Sequence, residues 1–82
     1  MNKRHPKSFE ELQVGIECEI LPINESLGWQ KGILRYNEGY TSPFGPKSIY
    51  NLDPFWFIMV KFPDHYAPIT IMLKDLNHIK IK

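Results

Sequence analysis

The sequence contains a single cysteine, Cys18, among its 82 residues. One cysteine cannot form a disulfide within the chain, so the fold must be stabilised by a hydrophobic core. Cys18 lies where apolar and acidic residues alternate, which predicts a small buried side chain rather than a reactive thiol. The lone cysteine also favours a reducing compartment, and we expect a cytoplasmic protein.

The sequence also lacks an excess of charge of either sign, because 10 basic residues face 9 acidic ones. Such a chain has no overall field to attract nucleic acid or an anionic membrane. It has no apolar run of the roughly 18 residues that a membrane span needs, and we expect no membrane partner. With 43% hydrophobic and 23% charged residues, the composition predicts one folded domain at residues 9–82, after a flexible basic arm at residues 1–8.

Motifs for catalysis, metal binding and phosphate binding are missing as well. Cys18 and the three histidines, His5, His65 and His78, are too far apart in sequence to provide paired metal ligands from one local element. The Asp64-His65 pair is the best catalytic candidate, but no serine or threonine lies in a nucleophile motif. We therefore predict a protein that is not an enzyme and has no cofactor and no metal.

Most of the patterned segments in the sequence are typical of β-strands. There are five of them, at residues 16–21, 29–36, 55–62, 69–74 and 78–82. We predict a mainly β, five-stranded antiparallel barrel in which the third and fourth strands form a hairpin and the first and last strands pair. The predicted core consists of Ile16, Cys18, Ile20, Ile33, Ile58, Val60, Ile71, Leu73, Ile79 and Ile81.

Three features of this pattern resemble the SH3-like small barrels, including the Tudor-like proteins. They are the segment Leu12-Gln13-Val14-Gly15 before the first strand, the segment Trp29-Gln30-Lys31-Gly32, and a hairpin at residues 55–74 followed by a short turn and a final strand. The resemblance implies an SH3-like barrel. It also implies a module that binds peptides, methylated side chains or nucleic acids through aromatic residues at one end of the barrel.

The long loop between strands 2 and 3, residues 37–54, contains Tyr40, Phe44 and Tyr50 among prolines and glycines. Structureless loops of this length are uncommon in compact domains and are often functional. We predict that these three residues, with Trp29, dock a protein partner or a second copy of the chain. The alternative is that the loop rings only cap the second face of the apolar strand at residues 55–62.

Nucleic acid is the alternative partner, and it would use the two basic termini. The candidate residues for that role are Lys3, Arg4, Lys80 and Lys82. If the first and last strands pair, Glu17 and Glu19 come close to the C-terminal lysines and neutralise part of this charge. A protein partner is therefore the first hypothesis.

Overall fold

The computed structural model describes residues 3–82, and these form six short β-strands and three single-turn 3₁₀ helices. The strands are β1 (Glu17–Ile20), β2 (Gln30–Ile33), β3 (Arg35–Asn37), β4 (Phe55–Val60), β5 (Ile69–Met72) and β6 (Ile79–Ile81). The 3₁₀ helices are Phe9–Glu11, Glu25–Leu27 and Leu76–His78. No α-helix is present in residues 3–82, which confirms the predicted mainly β class.

The strands form two antiparallel sheets of three strands each, in the orders β2-β1-β6 and β3-β4-β5. In the first sheet Glu19 lies opposite Lys80, so the predicted pairing of the first and last strands is confirmed. In the second sheet Ile58 lies opposite Ile71, so the hairpin of the apolar strand with the next one is also confirmed. The pairing of β1 with β6 places their alternating apolar residues on one face, and the hairpin places the buried Ile58 opposite the buried Ile71.

The prediction of a five-stranded barrel is wrong, because the structure has six strands in two separate sheets. The predicted second strand, residues 29–36, is divided at Leu34 into β2, which belongs to one sheet, and β3, which belongs to the other. Leu34 is completely buried, and its backbone bonds to the segment before β1 through Ile16 O at 2.9 Å and Gly15 N at 2.8 Å. The chain thus changes sheet within one apolar run, and no ladder in residues 3–82 closes the two sheets into a barrel.

Gly32 allows the two sheets to approach each other closely. A Cβ atom at this position would lie 2.9 Å from Cβ of Ile58 in β4, closer than real Cβ contacts come. A glycine inside a strand commonly marks such an approach. The side chain of Ile58 therefore occupies the space that a larger residue in β2 would need.

The core lies between the two sheets. It consists of Leu12, Cys18, Ile20, Leu34, Ile58, Ile71, Ile79 and Ile81. The prediction of Ile33 in the core is wrong, because Ile33 is 49% exposed and its neighbour Leu34 takes the buried position. Three other predicted core residues, Ile16, Val60 and Leu73, are only partly buried and pack against this cluster.

The N-terminal segment lies along the free edge of β6. Arg4 and Ile81 exchange two backbone hydrogen bonds, of 2.6 and 2.7 Å, and Pro6 is buried. The predicted arm, residues 1–8, is thus attached to the sheet at Arg4. Residues 1 and 2 of that arm lie outside the described residues.

Candidate functional site: the loop between β3 and β4

The base of loop 37–54 continues the β3–β4 hairpin. Beyond the last ladder pair of β3 with β4, Tyr40 and Leu52 exchange two backbone hydrogen bonds, of 2.7 and 2.8 Å. Gly39 lies between these pairs with φ of +82°, and a Cβ atom there would lie 2.3 Å from the Leu52 carbonyl oxygen. The side-chain oxygen of Asn37 accepts a hydrogen bond of 2.7 Å from the Gly39 N–H. The two branches of the loop are therefore held together at the base, and only glycine fits there.

The tip of the loop is organised by the side chain of Asn51. Its Oδ1 accepts a hydrogen bond from the Ser42 N–H at 2.6 Å, and its Nδ2 donates to the carbonyl oxygens of Gly45 at 3.1 Å and Pro46 at 2.9 Å. The hydroxyl of the buried Ser42 accepts a bond of 3.1 Å from the Phe44 N–H. The side chains of Asn51 and Ser42 thus provide hydrogen-bond partners for the backbone N–H and C=O groups of the tip.

The apolar side chains of the tip point outward. Phe44 is 80% exposed, Ile49 is 89% exposed and Tyr50 is 65% exposed. The rings of Phe44 and Tyr50 lie 6.0 Å apart, and Tyr40 is exposed nearer the base. These exposures do not fit the alternative that the loop rings cap the apolar strand β4. We call Tyr40, Phe44, Ile49 and Tyr50 the loop surface.

The loop surface carries little charge. Between Gly39 and Leu52 the one charged residue is Lys47. Within residues 3–82, no ion pair involves Lys47 or the two acidic residues at the base, Glu38 and Asp53. The surface is therefore an apolar patch with one cation, bordered by two carboxylates.

Trp29 is not grouped with the loop surface. It precedes β2, and Nζ of Lys80 lies 4.4 Å from the centre of its ring, within the range of a cation–π contact. The ring of His5 lies 6.1 Å from the same indole. The ring contacts of Trp29 in residues 3–82 are thus with the N-terminal segment and β6, whereas Phe44 and Tyr50 of the loop contact each other.

Each of the four candidate nucleic-acid-binding residues of the termini has a partner within residues 3–82. Three of them are in ion pairs. Nζ of Lys3 lies 3.6 Å from Oε2 of Glu19, Nη2 of Arg4 lies 2.6 Å from Oε1 of Glu11, and Nζ of Lys82 lies 3.3 Å from Oε2 of Glu17. Lys80 lies over Trp29 and opposite Glu19. The predicted neutralisation by Glu17 and Glu19 is confirmed. A phosphate backbone would have to compete with these carboxylates for the lysines.

The Arg4–Glu11 pair predicts an acid-sensitive contribution to stability. The hydrogen bond from Arg4, together with one from the Lys7 N–H, lowers the pKa of Glu11 from 4.5 to about 2. Because the folded pKa is depressed, this contribution is fully present above the unfolded pKa and is lost as the pH falls from 4.5 towards about 2. Both side chains are partly exposed, so solvent screening keeps the effect small.

We expect Glu11→Gln to lower the urea midpoint at neutral pH by a small amount, and most of this difference from the original chain to be lost at about pH 2. Urea titrations followed by tryptophan fluorescence at both pH values measure it. Glu10→Gln is the matched control, because it alters an adjacent exposed carboxylate that is in no ion pair among residues 3–82. A midpoint difference that stays constant on acidification contradicts the assignment to the Glu11 carboxylate.

The catalytic candidate is the Asp64-His65 pair. Nδ1 of His65 lies 2.9 Å from Oδ1 of Asp64 in an exposed turn, and within residues 3–82 no serine or threonine hydroxyl bonds to this histidine. Burial raises the pKa of the Cys18 thiol to about 11, so the thiol is protonated at neutral pH.

No cluster of three or more potential metal ligands occurs in the part of the chain that the structure describes. The helices found there are too short to cross a bilayer.

Comparisons with protein-family models, with curated proteins and with solved structures find no match. The resemblance to SH3-like barrels therefore stays a prediction. Of the site residues, sequence reasoning identified Tyr40, Phe44 and Tyr50 but missed Ile49 and the organising role of Asn51. The available signal for Ile49 was an isolated aliphatic residue in a segment rich in proline and serine.

Proposed function

We propose that the chain is a non-catalytic docking module that binds a protein partner through loop 37–54. The observation that carries this proposal is the exposure of Phe44, Ile49 and Tyr50 on a loop whose backbone is fixed by Asn51. Clustered apolar side chains in water are unfavourable, and such patches commonly mark interaction sites.

The fixed backbone supports binding in a second way. Ordering a loop on association costs conformational entropy, and a loop that is already ordered avoids much of this cost. Aromatic side chains also bury a large area with few rotatable bonds, which is why tyrosine is enriched among the residues that dominate binding energy. Phe44 and Tyr50 combine both properties.

The partner we propose is a protein whose surface has an apolar groove, and the expected compartment is the cytoplasm, for which the lone Cys18 is the support. Nucleic acid is disfavoured as the partner because Lys3, Arg4 and Lys82 are already in ion pairs and Lys80 contacts the ring of Trp29. The loop itself offers nucleic acid no cluster of cations, because Lys47 is its single basic residue.

The test is a quantitative pull-down from the native cytoplasm with the original chain and with Tyr40→Ala combined with Phe44→Ala. We expect the double variant to bind the partner at least about tenfold more weakly than the original chain. This corresponds to a loss of about 1.4 kcal/mol of binding free energy. The matched control is Tyr66→Ala, because Tyr66 is fully exposed in a turn outside the loop. Circular dichroism checks that all variants fold.

Two outcomes would reject the proposal. One is capture of the same proteins in the same amounts by the double variant. The other is complete loss of the captured material after nuclease treatment, together with a steep fall of binding with salt, which would indicate nucleic acid. Binding through the loop surface depends little on salt, since that surface is apolar.

A further inference from the structure

His78 has a carboxylate beside each of its two ring nitrogens. Nδ1 lies 2.7 Å from Oδ1 of Asp75, and Nε2 lies 3.5 Å from Oε1 of Glu25. Asp75 caps the 3₁₀ helix that His78 ends, so the first contact is local. Glu25 belongs to the segment between β1 and β2, residues 21–28, which we call the strap. The side chain of His78 is only 15% exposed, and it joins two segments that are far apart in sequence.

Only the protonated ring of His78 can donate to both carboxylates. A neutral imidazole carries one N–H and one nitrogen lone pair, whereas an imidazolium carries two N–H donors. The hydrogen bond from His78 is the largest cause that lowers the pKa of Asp75. Asp75 is therefore ionised in the range around about pH 6.5 in which an imidazole ordinarily titrates.

The other charged groups near the ring act elsewhere. Lys74 precedes Asp75 and adds a smaller contribution to the lowering of the pKa of Asp75. Glu19 of β1 and Lys80 of β6 lie opposite each other across the first sheet. Within residues 3–82, the charged groups in contact with the ring are the carboxylates of Asp75 and Glu25.

The strap has few polar attachments to the rest of the chain. At its start the Leu21 N–H donates a bond of 2.8 Å to the carbonyl oxygen of His78, and near its end the Gln30 side chain donates a bond of 2.8 Å to the carbonyl oxygen of Leu27. Between these two points, within residues 3–82, the ion pair of Glu25 with His78 joins the strap to another element. The position of the middle of the strap therefore depends on this ion pair.

The strap lies beside the outer edge of the second sheet. β5 is the last strand of that sheet, and Pro22 and Ile23 lie across a cavity of about 170 Å³ from Thr70, Ile71 and Met72. Pro22 is buried, whereas Ile23 is 74% exposed. Because the cavity separates the strap from β5, polar contacts rather than close packing hold the strap there.

We propose that His78 is a pH-sensitive clamp that holds the strap beside the edge of β5 when the ring is protonated and releases it when the ring is neutral. Loss of the Nε2 proton removes the donor to Glu25, while Nδ1–H continues to donate to Asp75 and keeps the ring in place. The clamp is thus closed below the range in which an imidazole titrates, and it opens as the pH rises through that range. It lies outside loop 37–54 and does not depend on the proposed function.

NMR relaxation of the backbone amides of the whole chain, at about pH 5.5 and about pH 8, tests the clamp. We expect the Glu25, Ser26 and Leu27 amides to have order parameters of about 0.85 at the lower pH and below about 0.6 at the higher pH. The Ile58 amide in β4 is expected to stay rigid at both. The ring-proton signals of His78 are expected to change with the same midpoint as the amide signals of the strap.

Two substitutions of Glu25 separate the ion pair from its pH dependence. Glu25→Gln keeps the side-chain length, and its amide can donate to or accept from Nε2 of His78, so the order of the strap is expected to be the same at both pH values. Glu25→Ala removes the contact and is expected to leave the strap mobile at both. His65→Gln is the matched control, because it removes an exposed histidine that pairs with Asp64 in another turn. Circular dichroism confirms that each variant folds.

The proposal is overturned if the order of the strap in the original chain is the same at both pH values. A pH dependence that persists in Glu25→Gln, or that disappears in His65→Gln, assigns the effect to another group and also overturns it. If Glu25→Ala leaves the strap as ordered at about pH 5.5 as in the original chain, the contact with His78 does not hold the strap.

Discussion

Replacement of Leu34 by alanine is expected to lower the free energy of unfolding by about 3–5 kcal/mol, whereas Ile33→Ala is expected to change it by less than about 1 kcal/mol. The reason is that Leu34 is completely buried between the two sheets, while the side chain of Ile33 is half exposed. Truncation at Leu34 removes buried methyl groups and leaves a cavity that the small core cannot readily close.

Urea unfolding followed by tryptophan fluorescence measures both values, since the chain contains Trp29 and Trp56. A domain of this size has a total stability of only about 5–15 kcal/mol, so Leu34→Ala is expected to approach global unfolding. Leu34→Met keeps most of the side-chain volume and is expected to cost less than about 1.5 kcal/mol. If Ile33→Ala proves as costly as Leu34→Ala, the division of the strand at Leu34 is wrong.

This pair of residues shows how far the sequence predicts the fold. Alternation within β1 and β6 predicts their shared buried face, and the apolar run of β4 predicts its hairpin with β5. At residues 29–36 the pattern contains two adjacent aliphatic residues, Ile33 and Leu34, which cannot both face the core in a single straight strand. Local patterning cannot show that the chain changes sheet there, because that change depends on packing between β2 and β4.

The candidate site was predictable to a similar degree. Aromatic residues among prolines mark the loop, because a ring in such a segment must either pack or bind. The contribution of Asn51 could not be predicted, since an asparagine in a loop is ordinary and its three bonds depend on the folded tip. The prediction groups Trp29 with the loop as an aromatic residue at one end of a barrel, whereas its contact with Lys80 depends on the pairing of β1 with β6.

The loop and the core are expected to be energetically separable. The loop branches meet through Tyr40 and Leu52, which lie beyond the last ladder pair of β3 with β4, and the described core contains no residue of loop 37–54. The loop base can therefore open without exposing the core, as a local unfolding event. A variant that disrupts only the base can thus test whether a fixed loop backbone contributes to binding.

Gly39→Ala is expected to disrupt the base of the loop and to reduce partner capture at least about tenfold, with little loss of core stability. Alanine at this position must adopt φ of +82° and would place its Cβ atom 2.3 Å from the Leu52 carbonyl oxygen, so the backbone has to move. Amide hydrogen exchange measures the result. We expect the Tyr40 and Leu52 amides to lose protection, while the Ile58 amide in β4 keeps it.

Gly28→Ala is the matched control for Gly39→Ala. Gly28 also has a positive φ, of +71°, but nothing lies within 4 Å of a Cβ atom there, and it is outside the loop. The control therefore also places alanine at a positive φ but without the collision, and partner capture is expected to remain. If Gly39→Ala loses protection at Tyr40 and Leu52 but captures the partner as well as the original chain does, a fixed loop backbone is not needed for binding. The affinity would then come from the exposed side chains of Phe44 and Tyr50 alone, and the entropic part of the proposal would have to be abandoned.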